Sequence, residues 1–127
     1  ISYEHFPQLG GRRGTSPIVG PTLNDGWNNQ SFHNYADYTL SDDFKEGIKA
    51  LTKKAEQQNV AYMCSEGHPA RCHRLIISNW LAAHGHDVCH LIHRAKGVEP
   101  DAHELGRWGA MPIIEEDKTV VYPELKR

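Results

Sequence analysis

Cys64, Glu66, Cys72, His73 and Arg74 lie close together around one turn of the stretch Tyr62–Leu81. An apolar run ends at Cys64, a loop holding Gly67 and Pro69 follows, and Arg71, Cys72, His73 and Arg74 open a helical pattern. The first N–H groups of a helix have no partner within it and carry partial positive charge. That environment favours a thiolate beside Arg71 or Arg74. It equally favours a bound phosphate, sulfate or carboxylate. In one reading the turn is a thiolate or anion site, with Cys64 or Cys72 as nucleophile and Glu66 or His73 as general acid/base. Arg74 would then be the electrophilic clamp, with Arg12 and Arg71 as further ligand-binding cations. The chemistry of cysteine phosphatases and rhodaneses, which also place a reactive Cys on a strand-to-helix loop, is not assigned, because Arg71 stands seven positions after Cys64 and no Cys, five residues, Arg spacing occurs. A second reading is a zinc or iron site built from Cys64, Cys72 and His73, with His68 or Glu66 as fourth ligand. The separation of Cys64 from Cys72 is longer than in structural zinc motifs. In the third, both cysteines pack as small apolar residues and Arg74 ties the fold together through Glu66.

The elements that must position this turn belong to a chain of 127 residues, enough for one domain spanning 1–127. A hydrophobic content of 39% with 24% charged residues fits a globular core rather than disorder. The net charge of -2 leaves no basic footprint, so a generic nucleic-acid or membrane-surface binder is disfavoured. Nucleic-acid binding would require Arg12, Arg13, Arg71 and Arg74 to converge on one face. Three cysteines do not make a secreted disulfide framework, and a reducing cytoplasm is expected. No apolar run is long enough to cross a membrane, and no signal peptide is visible.

Ser2–Phe6 reads as a short strand ended by Pro7. Residues 8–30 carry no period, and the functional reading of this loop is a lid that brings Arg12 or Arg13 over the site. Phe32, Tyr35, Ala36 and Thr39 make one helical stripe. Ser41 caps the next helix, whose stripe is Phe44, Ile48, Leu51 and Ala55. Val60–Cys64 reads as a buried strand, and Pro69 suits the first position of a helix. Ile76, Ile77, Trp80, Leu81 and His84 form that helix's inner face, and Gly85 closes it. His86–Ile92 follows as another buried strand, with Cys89 in the core and His90 and His93 as satisfied strand-end histidines. Helix, strand, helix, strand implies a right-handed crossover, hence an α/β fold with a mostly parallel sheet flanked by helices. An irregular segment with Pro100, His103 and Trp108 comes next, from which His103 could fold back over the site. Ile113–Ile114 and Val120–Tyr122 close the chain as a hairpin. Asp37 is expected to cap its helix or to pair with an arginine of the glycine-rich loop.

Cys64-x-Glu66, five residues, then Cys72-His73-Arg74 resembles the signature of the family catalogued as domain of unknown function 488. Leu9-Gly10-Gly11-Arg12, the run Asn34–Tyr38, His103-x-Leu105 and Tyr122-Pro123 are similar to the family's pattern in the same order. The resemblance implies a compact α/β domain with Cys64, Glu66, Cys72, His73 and Arg74 as the site. It supplies no reaction. The family is expected to begin with a further strand and helix carrying an Asp-Val-Arg type turn, and this sequence starts after that unit, which is either lost, left out, or absent from a short variant.

Overall fold

Two polar side chains start the first two helices. The structure is a computed structural model that describes residues 3–124 other than 12, 17, 18, 21, 64–67, 69 and 70. Asn29 accepts hydrogen bonds from the backbone N–H groups of Ser31 and Phe32 and begins α1 (Gln30–Tyr38). Ser41 accepts from Phe44 N–H and begins α2 (Asp42–Gln57), with Asp42 and Asp43 in the first turn where the helix dipole favours them. Phe44, Ile48 and Leu51 are buried along the expected stripe, whereas Ala55 is exposed. α3 (Arg74–Ala83) buries Leu75, Ile76, Ile77 and Leu81. It ends at Gly85, whose φ of 85° is left-handed. Gly85 N–H returns to Ala82 O and His86 N–H to Leu81 O, so the last carbonyls of α3 are satisfied.

The strands overturn the expectation of a mostly parallel sheet. β1 (Cys89–Arg94) pairs antiparallel with β2 (Gly97–Ala102) across a two-residue turn. β3 (Ile113–Ile114) pairs antiparallel with β4 (Val120–Val121). Among the described residues these two-stranded sheets are the only ones. Val60–Met63 is not a strand: Val60 is 38% exposed and Met63 79%, so the run buries too little to hold a central position. Cys64, its expected last residue, lies outside the described residues. β1 then takes the nearest partner in sequence, because closing a short turn costs little chain entropy. Its burial alternates, with Cys89 and Leu91 outside and His90 and Ile92 inside. Pro100 sits in β2, where a sheet of two strands leaves every strand an edge and a missing N–H is tolerated. Tyr3–Phe6 forms no strand either; Pro7–Leu9 is a 3-10 turn.

One apolar cluster joins these pieces, with Tyr35, Phe44, Ile48, Leu75, Ile76 and Tyr122 among its most buried members. A polar strut crosses it. Asn24, fully buried, donates to Asp37 Oδ1 at 2.7 Å and accepts from Tyr122 N–H at 2.8 Å. Asp37 thus pairs with Asn24, and with His33 Nε2 at 3.5 Å, rather than with an arginine. Replacing Asn24 with Ala leaves the Tyr122 N–H unmatched and the Asp37 carboxylate with His33 alone. The expected cost is about 2–4 kcal/mol, measured as a lower urea midpoint with an unchanged slope.

Candidate functional site

The chain winds into α3 through a turn held by its own backbone. Arg71 N–H bonds His68 O, Leu75 N–H bonds Cys72 O, and Ile76 and Ile77 N–H both reach His73 O. Regular helix starts at Arg74, so Cys72 and His73 precede it instead of lying in its first turn. Cys72 Sγ accepts the Arg74 N–H at 3.4 Å and lies 3.5 Å from His73 Nδ1. The sulfur thus lies between a backbone donor and an imidazole nitrogen. Cys72 is only 3% exposed, so in this conformation the sulfur has no open path to attack.

His73 is fixed from three directions. Its ring packs at 4.8 Å against Tyr35, a hydrogen bond ties it to the Leu9 backbone, and Gly11 lies against its face. A Cβ on Gly11 would fall 2.3 Å from His73 Nδ1, so only glycine permits this approach. Burial, then the charges of Arg74 and Arg13, hold the His73 imidazole below its ordinary proton affinity despite the Leu9 bond. The ring is neutral at pH 7. The glycine-rich loop reaches the site through Gly11, while Arg13 is spent elsewhere. Its guanidinium donates to Pro7 O and Gly10 O and stacks 3.8 Å over Tyr38. Arg12 lies outside the described residues.

On the other flank of α3 the side chains of Asn79, His103 and His90 form a chain. His103 Nε2 lies 2.8 Å from Asn79 Oδ1, and His103 Nδ1 lies 2.8 Å from His90 Nε2. Asn79 also accepts the Gly106 N–H at 3.4 Å and donates to the Tyr122 hydroxyl at 3.2 Å. Trp108 packs against His90 at 5.2 Å and against His68 at 4.9 Å, with Arg107 4.1 Å over its ring. Trp108 holds a left-handed φ of 66°, a strained setting for a bulky residue that the surrounding contacts must maintain. Burial, then His103 and Arg107, push His90 down to about 4. Burial and Arg107 likewise lower His103. Arg74 belongs to both flanks: its charge depresses His73, opposes the upward push of burial on Tyr62, and depresses His90. Tyr62 in turn shares a 2.7 Å hydrogen bond with Ser78.

Of the residues the sequence singled out, Cys72, His73 and Arg74 are brought together, and Arg71 is exposed one position before them. Cys64, Glu66 and Pro69 lie outside the described residues. Among the described residues no three of His, Cys, Asp and Glu converge as a metal set; Cys72 and His73 adjoin each other, and His68 packs on Trp108. Cys89, expected in the core, is exposed at the start of β1. His103 does fold back, onto α3. Asn79 and the pairing role of His90 were missed. A polar residue three positions after Ile76 on a buried helical face was the available signal, because buried amides need partners.

A family model described as domain of unknown function DUF488 matches residues 1–81. The chain belongs to that family. The match takes in the glycine-rich loop, α1, α2 and the Cys-His-Arg turn, while His90, His103 and Trp108 lie beyond it. No curated protein and no solved structure matches the chain.

Because His73, His90 and His103 all bind protons less readily in the fold, the unfolded chain holds more protons below the ordinary imidazole range, about 6.5. Stability is then complete above that range and falls as the pH drops through it. The urea midpoint is expected to be lower at pH 5 than at pH 7, with a smaller difference in His90→Gln. A midpoint that does not change between these pH values would contradict the buried, neutral setting of the three rings.

Proposed function

We propose that this protein binds a small oxyanion-bearing ligand at the turn leading into α3, with Arg74 and Arg71 as cations and Cys72–His73 as the pair that handles charge and protons beside it. The observation that carries the reading is the convergence on Cys72 Sγ of the Arg74 backbone N–H and His73 Nδ1, at 3.4 and 3.5 Å. The sulfur occupies a place where a backbone N–H at the start of a helix is offered, and that donor favours a phosphate, sulfate or carboxylate oxygen. Cys64 and Glu66 are assigned to the same site by the signature they share with Cys72, His73 and Arg74. Thiol-dependent catalysis is the enzymatic form of this reading. It requires the turn to open, since Cys72 is buried. The setting is a protein none of whose described helices is long and apolar enough to cross a membrane; we place it in the cytoplasm on the strength of its few cysteines.

Titration with inorganic sulfate, followed by the amide signals of Cys72–Leu75, tests the proposal. Saturable shifts confined to this turn are expected. Arg74→Gln should weaken them about tenfold or more, in line with loss of one charge-assisted hydrogen bond. Arg94→Gln, on the exposed hairpin, should leave them unchanged. Shifts that ignore Arg74, or that follow Arg94 equally, would refute a site at the turn.

A further inference from the structure

The hydrogen bonds around Asn79 determine which nitrogen of His90 carries the proton. Asn79 Oδ1 accepts the Gly106 N–H, so that atom is the carbonyl oxygen and cannot donate. His103 Nε2, 2.8 Å from the same oxygen, must therefore carry a hydrogen. In a neutral imidazole the other nitrogen is then an acceptor, so His103 Nδ1 takes the bond from His90 Nε2–H at 2.8 Å. By the same rule His90 Nδ1 holds an unshared pair. An amide orients one imidazole, which orients a second, as the group behind a catalytic base orients it elsewhere.

Several features surround this relay. Burial first, then the charges around them, lower the proton affinity of His90 and of His73, and the Arg74 charge adds to both, least of all at His90. Arg107 and Asp101 also act on His90, and Arg107 is held in a two-pronged pair by Asp101 at 2.6 and 2.8 Å. Trp108, in its left-handed conformation, packs on His90 and on His68, which begins the turn into α3. His90 is 7% exposed. Here is a neutral base beside a fixed cation, with its far nitrogen hydrogen-bonded to a second ring.

We propose that His90 is an acid–base residue of the oxyanion site, with Nδ1 as its working nitrogen, and that His103 and Asn79 are the residues that position it. The substrate class is a ligand carrying an ionisable O–H, N–H or S–H group next to its oxyanion. In the step, that bond to hydrogen breaks, the proton passes to Nδ1, and the electron pair stays on the ligand atom. The new charge on the ring is shared through Nε2–H with His103, and Arg74 stabilises the anion left on the ligand. The inference rests on the oxyanion reading above for what lies beside His90.

Long-range proton–nitrogen NMR correlations of the histidine rings in the whole chain at pH 7, with and without inorganic phosphate, test it. Both His90 and His103 should appear as Nε2–H tautomers, and phosphate should move the His90 Nδ1 signal together with the Cys72–Leu75 amides. His103→Gln should return His90 to a mixture of tautomers and raise its titration midpoint from about 4 toward the ordinary imidazole range. An Nδ1–H tautomer at His90 overturns the inference whatever phosphate does. The expected tautomers with phosphate shifts at the turn alone overturn His90's role and leave the oxyanion site standing. No phosphate response at either place removes both. The wild-type spectra decide among these without the variant.

Discussion

Burying the amide of Asn79 in the middle of an apolar helix face is the constraint on which the rest of the structure depends. The residue is 1% exposed, and an unmatched amide there would cost more than most single contacts return. Its partners come from far along the chain. The Tyr122 hydroxyl arrives from beyond β4, His103 from the end of β2, and the Gly106 N–H from the loop after it. Each bond fixes one segment against α3. Tyr122 in turn carries its own N–H to Asn24, which holds Asp37 on α1. Polar satisfaction of one helix thereby sets the places of the hairpin, the loop and the chain end around it, without a continuous sheet.

Imidazoles stand on either flank of the N-terminus of α3. On one flank His73 is wedged between Tyr35, the Leu9 backbone and Gly11, and lies beside the Cys72 sulfur. On the other, His90 and His103 continue the Asn79 chain toward Trp108. Both flanks hold imidazoles kept neutral first by burial, and the Arg74 charge bears on each. A cation shared by two neutral rings suits a ligand that brings negative charge, since the ligand offsets what the arginine imposes on both.

How much of this could be read from the sequence depends on how local each signal is. The cap at Ser41, the stripe Phe44–Ile48–Leu51 and the stop at Gly85 follow from neighbours within one or two helical turns, and the sequence marks all three directly; the cap at Asn29 is just as local but goes unmarked. The clustering of Cys72, His73 and Arg74 is equally local. The sheet was misjudged because Val60–Met63 and His86–Ile92 are both short apolar runs, whose pairing direction is a tertiary outcome. Cys89–Arg94 found an antiparallel partner two residues away, and Pro100 disguised that partner as irregular chain. The Asn79–His103–His90 relay joins residues 24 and 13 positions apart, a separation that no periodicity encodes.

The Arg74 charge bears on the His73 and His90 imidazoles at once. The most direct measurement is the NMR titration of His73 and His90 in wild type and in Arg74→Gln. Removing the positive charge should raise both midpoints together, each toward the ordinary imidazole range. If only one of the two moves, or neither does, Arg74 is not their common neighbour and the two flanks do not form one site.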